Sequence, residues 1–420
     1  MSGISGRAVL LPGAVALGAL LAAAPALAGG FALREQSAVG QGMSFAGAAA
    51  GGGDSLSGMF WNPAVVNQVE HFQGEQVVTG VFPSSKVDVT GGPLAPFGDG
   101  GDIGESAGLT AGYSAYRITD QLAVGLSVNT PFGLATDPDK NWGGQIYARS
   151  SRVRSVNATP TVGYKVNEWF SIAAGVQIQW FDIRLRQAVS PAPGAETATL
   201  KGDDFGVGFT AGFTVAPMEG TSIGVGFRSK IEHDLKGDLS TPAPDLKIKA
   251  KVTLPETVTV GLRQKVTDDL TALVGAEWTN WSRLGTVDVK TRGGAPVTAL
   301  PFDYKDGWFV SGGLEYAWSP EFTLRGGVAY EWSPINDKNR TVRLPDDDRW
   351  WFSAGGSYKY SEKLAFDLGY SFVYVPGKSK ITVATPVPFA AEAKSDVHIV
   401  SASVRYKFGG DAPAALVTKY

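Results

Sequence analysis

Between Leu364 and Val375 every second residue is large and apolar: Leu364, Phe366, Leu368, Tyr370, Phe372 and Tyr374, set against Ala365, Asp367, Gly369, Ser371 and Val373. A period of two puts these sets on opposite faces of a strand. Phe322–Trp332 repeats the scheme, with Phe322, Leu324, Val328, Tyr330 and Trp332 opposite Thr323, Arg325, Gly327, Ala329 and Glu331. Trp308–Trp318, Trp350–Tyr360 and His398–Phe408 do the same. Aromatic residues gather near the ends of the apolar faces, as they do where strands cross a membrane interface. A soluble β-sandwich alternates as well, so the connections must decide.

Short polar turns fall at Arg117–Gln121, Lys165–Trp169, Ala216–Ser222, Lys265–Leu270, Trp318–Phe322 and Tyr360–Leu364. Between them lie long irregular stretches at Pro83–Ser106, Gly133–Ser150, Ser190–Lys201, Gly285–Tyr304 and Pro334–Asp348. Alternating short and long connections are the pattern of a transmembrane barrel with tight periplasmic turns and extended outer loops. Six turns join twelve strands; one more at each end, about His71–Phe82 and Asp396–Phe408, makes fourteen. The prediction is an all-β, 14-stranded antiparallel transmembrane β-barrel with both termini in the periplasm.

Other solutions are excluded by what is missing. Met1–Ala28 has a basic residue (Arg7), an apolar stretch and an Ala26-Leu27-Ala28 site, and reads as a secretory signal peptide rather than a retained anchor. Beyond it no apolar run reaches about 18 residues, so any membrane span is made of strands. The chain has no cysteine, which removes disulfides, thiolate metal sites and thiol catalysis together. Its three histidines, His71, His233 and His398, are scattered and form no catalytic or metal pattern, and no phosphate-binding G-x-x-x-x-G-K-[ST] loop is present. A formal net charge of −3 argues against a nucleic-acid partner. No enzyme, metal site or cofactor is expected.

The inward faces are small: Ala123, Gly125 and Ser127; Ser311 and Gly313; Ser353, Gly355 and Ser357. Either they bend easily around a watery lumen, or they leave room for an occupant. A candidate precedes the first strand: GGFALREQSAVGQGMSFAGAAAGGGDSLSGMFWNPA, from Gly29 to Ala64. A disordered tail is poor in apolar residues. This segment carries Phe31, Leu33, Met43, Phe45, Leu56, Met59, Phe60 and Trp61. Its glycines allow a compact irregular path, and a plug is expected.

The same segment resembles the N-terminal hatch of the FadL-type outer-membrane transporters of long-chain fatty acids, a family that includes aromatic-hydrocarbon importers. Glu35-Gln36-Ser37, Gly42 with Phe45-Ala46-Gly47, and Asn62-Pro63-Ala64 carry the likeness. It continues in TPFGLATD (Thr130–Asp137), PETVTVGLR (Pro255–Arg263), WTNWSRL (Trp278–Leu284) and RTVRLPDDDRWWFSAG (Arg340–Gly355). The resemblance implies a 14-stranded barrel plugged by the hatch. It also implies capture of an apolar ligand at an outer groove, transfer to an inner pocket, and lateral exit at a kink in the third strand. Transport would be passive.

The resemblance also nominates residues. The strand-three kink is expected at Val128–Gly133, where Pro131 interrupts a ladder bond beside Phe132, with Asn62, Pro63 and Ala64 packed against it; alternatively Pro131 merely ends the strand. Phe31 is expected at the inner pocket, or simply in plug packing. A ligand carboxylate needs a cation: Lys305 in FDYKDGW resembles a basic family position, and Arg184 in FDIRLRQ is a second candidate. Arg184 shares strand parity with Trp180, which faces outward, so it would need a bend to reach the lumen; for both residues a solvated loop charge is the alternative. Asp346-Asp347-Asp348-Arg349 fits a family pattern and reads as outer-loop structure, with cation bridging to lipopolysaccharide left open.

The expected division is a signal peptide (1–28), a hatch (29–70), a barrel (71–408) and a tail (409–420). Family barrels end on an aromatic residue used by the barrel-assembly machinery. Here Phe408 is followed by GGDAPAALVTKY, so either the tail is tolerated or Tyr420 takes that role. The expected partners are a long-chain fatty acid or other hydrophobic ligand, outer-membrane lipid and lipopolysaccharide. The rival readings are an aromatic-hydrocarbon importer, an open aqueous porin and, last, an outer-membrane enzyme.

Overall fold

The computed structural model describes residues 29–408; the expected signal peptide and the tail after Phe408 lie outside the described residues. Fourteen antiparallel strands close on themselves. In chain order they are Phe72–Gly91, Ala107–Arg117, Leu122–Asn129 with Gly133–Thr136, Ser150–Asn167, Phe170–Ala188, Thr197–Val215, and Thr221–Arg228 with Ile231–Ser240. Then follow Leu246–Leu254 with Thr257–Lys265, Leu270–Thr279, Gly307–Ala317, Phe322–Trp332, Arg349–Lys359, Leu364–Tyr374 and Phe389–Phe408. They are called strands 1 to 14 below. Strand 14 pairs with strand 1 from Phe72↔Phe408 to Gly91↔Ala390, which leaves no open edge along the seam.

Strands 1 and 14 run longer than the sequence pattern suggests. Pro83 does not end strand 1, because its backbone faces the side on which strand 2 has already stopped, at Ala107. The missing N–H therefore costs no ladder bond. The stretch Gly285–Tyr304 is likewise not irregular: Thr286–Thr291 and Pro296–Pro301 form a hairpin that extends the wall beyond strands 9 and 10.

The alternation sorts as read. Outward side chains of strand 6 stand free, with Phe205 70% and Val207 67% exposed, whereas inward Trp351 and Ile399 are fully buried. What buries them is the segment before strand 1. Ser37 caps a single helical turn, Ala38–Gln41, by accepting from Gly40 N at 2.8 Å. Asn62 caps the 3-10 turn Pro63–Gln68 by accepting from Ala64 N at 3.0 Å, with Pro63 in the first position where no N–H is missed. Between these turns the chain passes through left-handed positions at Gly47 and Gly51. Phe45 sits among Trp61, Phe309 and Trp351, with ring centroids 5.4, 6.5 and 6.0 Å away.

Of the two readings of the small inward residues, the occupied lumen is the one observed. A Cβ on Gly224 would overlap the Ala49 carbonyl, one on Gly226 the Trp61 carbonyl, and one on Gly327 the Met43 backbone. Hatch backbone thus lies directly on wall backbone. Gly226→Ala should dislodge the hatch locally, lowering thermal stability by about 1–3 kcal/mol and raising single-channel conductance in planar bilayers. Gly312→Ala, where a Cβ meets nothing within 4 Å, should change neither. Equal traces for the two variants would refute the close fit.

Candidate ligand path and wall window

Three places break the wall ladder: Thr130–Phe132 in strand 3, Ser229-Lys230 in strand 7 and Pro255-Glu256 in strand 8. The first has the largest consequence. Strands 2 and 3 pair only up to Gly112↔Val128, and they meet again only at the bridge Gly104↔Thr136. Between those levels strand 2 lacks its neighbour, leaving a window in the wall.

The window is filled from inside. Ala32 bridges Phe132, with Leu33 N donating to Pro131 O at 2.8 Å and Gly133 N to Phe31 O at 2.9 Å. Gln36 completes the seam: its Nε2 donates to Thr130 O at 2.8 Å, and Thr130 N donates to its Oε1 at 3.2 Å. Ser155 Oγ accepts from Phe132 N at 2.9 Å, so the kinked peptide loses little hydrogen bonding. Asn62, Pro63 and Ala64 are not the residues at the kink. The Asn62 side chain is spent on the carbonyls of Ala49, 2.7 Å, and of Phe213 in strand 6, 2.9 Å, which seats this turn on another part of the wall.

Behind the window is an apolar chamber. Phe31 packs on Trp281 (centroids 4.8 Å apart) and on Phe132 (6.0 Å), and Trp281 reaches Tyr304 at 6.1 Å. Phe181, Leu235, Leu254 and Leu344 belong to the same buried cluster. The space beside it, lined by Leu33, Trp61, Pro131 and Phe132, is only about 50 Å³. That is room for a few waters, so cargo must displace side chains. Burial pushes the Tyr304 hydroxyl well above its usual pKa, which keeps it neutral. Phe31, Pro131 and Phe132 are therefore brought together.

The expected carboxylate partners are not brought there. The register of strand 5 against strand 6 runs unbroken from Phe170 to Ala188, so Arg184 keeps the parity of Ile178, which is 47% exposed, and faces outward. The Lys305 side chain is exposed on its loop, whose backbone is held by Lys305 N donating to Pro334 O at 3.0 Å. A cation that sequence reasoning passed over lies closer. Arg343 is flanked by Leu344 of the chamber and by Val342 of a second apolar cluster containing Trp142 and Phe389. Its guanidinium donates to Ser150 O (3.2 Å), Ser151 Oγ (3.1 Å) and Gln187 Oε1 (3.1 Å). No carboxylate among the described residues pairs with it. Burial without a counter-charge pushes its pKa down to about 10.

The nearby acids are committed elsewhere. Asp346 accepts from Gly30 N (3.0 Å) and from Ser333 Oγ, and it pairs with Arg349; Asp347 pairs with Arg340 at 2.9 Å; Asp348 accepts from Ser333 N at 2.9 Å. They hold loop and hatch together. Gly29 N also donates to Glu331 Oε1 at 3.0 Å, and Arg34 bridges Glu277 (2.6 Å) and Glu331 (3.4 Å) below the Phe309 ring. Breaking one side of such a buried pair costs about 3–5 kcal/mol.

Comparison with known proteins identifies the family and the fold. The family described as "Outer membrane protein transport protein (OMPP1/FadL/TodX)" matches residues 19–408. The chain is 24% identical to the long-chain fatty acid transport protein of Salmonella typhi, covering 93% of this chain and 98% of that one. It is 26% identical to outer membrane protein P1 of Haemophilus influenzae, covering 86% and 88%. Among solved structures, a Pseudomonas aeruginosa FadL homologue superposes with a TM-score of 0.82 at 24% identity, covering 91% and 100%. The Pseudomonas putida toluene transporter TodX gives 0.69 at 15%, covering 89% and 99%.

One hatch residue stands out electrostatically. Glu35 is 1% exposed and neither carboxyl oxygen hydrogen-bonds to another residue among the described residues. Burial pushes it up to about 7, helped by Glu331 and opposed by its own backbone N–H and by Arg34 and Arg349. An acid whose folded pKa exceeds its unfolded value holds more protons folded, so stability falls as pH rises from about 4.5 to about 7. The loss should be on the order of 3 kcal/mol by pH 8. Glu35→Gln should flatten this dependence in thermal unfolding; an unchanged slope would show that Glu35 does not titrate in that range.

Proposed function

The chain belongs to the outer membrane protein transport family of FadL and TodX, and from that premise we propose that it admits long-chain fatty acids by passive diffusion, releasing them sideways through the strand-3 window. It is an outer-membrane transporter of long-chain fatty acids or aromatic hydrocarbons; the finer reading rests on its own residues. The window seamed by Phe31–Leu33 and backed by an aromatic chamber is the observation that carries it.

The energetics favour a side exit. Each CH₂ returned to water costs about 0.8 kcal/mol, so an aqueous bore would oppose an acyl chain at every step. Leaving through the wall keeps that chain in apolar surroundings. The seam consists of a few backbone and amide hydrogen bonds, each worth about 0.5–1.5 kcal/mol net. Burying a handful of methylenes against Phe31, Phe132 and Trp281 offsets that. Pro131 keeps the path available, because it holds the strand kinked and supplies no N–H for a regular ladder. The end with long loops is then extracellular, and Phe408, which pairs with Phe72, is at the periplasmic end where the barrel-assembly machinery would read it. An arriving carboxylate meets Arg343, whose charge awaits an anion where the outer apolar cluster joins the chamber; exposed Lys305 serves at the loop surface.

A natural absence of cysteine allows a direct test of the exit. Ala32 and Phe132 oppose each other as a non-hydrogen-bonded antiparallel pair, a spacing of about 4.5 Å between Cα atoms that a disulfide accepts. In Ala32→Cys/Phe132→Cys, oxidation should cut oleate uptake by cells at least about tenfold and reduction should restore it. Undiminished uptake in the oxidised form would eliminate the window as the route.

The aromatic-hydrocarbon reading keeps the chamber and needs no cation. Arg343→Gln separates the two: oleate affinity should fall about tenfold, the loss of one charge-assisted contact, with toluene affinity unchanged. Equal effects on both ligands would remove Arg343 from carboxylate recognition.

A further inference from the structure

On the outer surface of strands 4, 5 and 6 the side chains fall into rows set by the register. The lowest row is Val156, Trp180 and Phe205; the next is Arg154, Asp182 and Asp203; above that stand Arg152, Arg184 and Lys201 side by side. Neighbouring strands lie about 4.8 Å apart, and like charges directly opposite one another destabilise a sheet. Yet three cations share one row.

The carboxylates do not balance them. Asp182 is divided between Arg154 (3.0 Å) and Arg152 (3.7 Å); Asp203 accepts from Trp180 Nε1 at 3.3 Å; Lys201 reaches Asp238 only at 3.9 Å. Arg184 pairs with no carboxylate among the described residues, and its Nε is enclosed without a hydrogen-bond partner. Two rows thus hold Arg152, Arg154, Arg184 and Lys201 against Asp182 and Asp203. An anion is missing.

The rows further down say which anion. Trp180, Phe205, Ile178 and Val207 form an apolar wall, with Phe205 70% exposed and the Trp180 indole N–H turned up toward Asp203. An indole in that attitude marks the boundary between acyl chains and headgroups. We propose that Arg152, Arg184 and Lys201 form a binding site for the phosphate of a phosphorylated, multiply acylated glycolipid of the outer leaflet, whose acyl chains lie on the wall below. Guanidinium groups suit phosphate oxygens because they donate two parallel bonds. The apolar wall, one mixed-charge row further down, selects a lipid-borne phosphate over a free one. The site faces away from the lumen and rests only on the barrel's orientation, not on the cargo or the window.

The test uses the full-length purified protein in detergent, with bisphosphorylated lipid A, its dephosphorylated form and inorganic phosphate as probes, read by native mass spectrometry. Wild type should retain bisphosphorylated lipid A at least about tenfold more strongly than the dephosphorylated form, and millimolar inorganic phosphate should not displace it. Arg152→Ala/Arg184→Ala should lose that preference while still migrating as a closed, heat-modifiable barrel. Asp182→Asn, which removes the competing carboxylate, should strengthen retention. Equal retention by wild type and the double variant overturns the proposal, as does weaker binding by Asp182→Asn. Displacement by inorganic phosphate would assign the row to a soluble anion and overturn the lipid assignment.

Discussion

The structure depends on backbone lying against backbone. The hatch is a string of single turns, and these pair only part of its peptide groups with one another, as Gln41 N with Ser37 O and Trp61 N with Gly58 O; buried peptide groups left unpaired are costly. Others are satisfied by the wall, and hatch side chains reach it too. Gly47 N donates to Val274 O at 3.1 Å, Asn67 Nδ2 to Ile172 O at 3.0 Å and Leu33 N to Pro131 O at 2.8 Å. Such bonds require close approach, and close approach requires a wall without side chains, which is why glycines 224, 226 and 327 lie beneath the hatch. The plug and its socket are one hydrogen-bonded unit.

That unit is not uniformly tied. Its N-terminal end is held by charge: Gly29 on Glu331, Gly30 on Asp346, Arg34 on Glu277 and Glu331. Beside these anchors Phe31–Leu33 hydrogen-bonds to the kinked strand through backbone alone, with the Phe31 ring packed on Phe132, and the Glu35 carboxyl hydrogen-bonds to no other residue among the described residues. Strong anchors beside a weak seam confine any rearrangement to a few residues. On the proposed reading, such a barrel passes apolar solutes without ejecting its plug or admitting bulk water.

Strand periodicity and the rhythm of short and long connections carried the fold in the sequence, because both are local signals. Aromatic content marked the hatch, and Pro131 marked the kink. What meets the kink was hidden: Asn62-Pro63-Ala64 and Phe31-Ala32-Leu33 are both compact hatch segments, and only long-range pairing distinguishes them. Pro83 misled for a related reason, since its harmlessness depends on where strand 2 ends. Parity correctly placed Arg184 outward, against its nomination as a lumen contact. Arg343 stayed hidden because RTVRLPDDDR surrounds it with acids. In the fold those acids go to Arg340, Arg349, Ser333 and Gly30.

Arg184 and Arg343 show how one side chain takes two meanings. Both are guanidinium groups without a carboxylate partner among the described residues. Arg184 stands on the outer face above an apolar wall; Arg343 stands where the outer apolar cluster meets the inner chamber. An unbalanced cation is costly where water is scarce, and each is tolerated at a place where an amphipathic anion can approach with its hydrocarbon beside apolar side chains. On the proposed reading the barrel wall separates the two sites, so a membrane lipid reaches only the first and a solute inside the lumen only the second. Selectivity between resident lipid and cargo then follows from which side of the sheet a residue faces, a property set by a one-residue step in strand register.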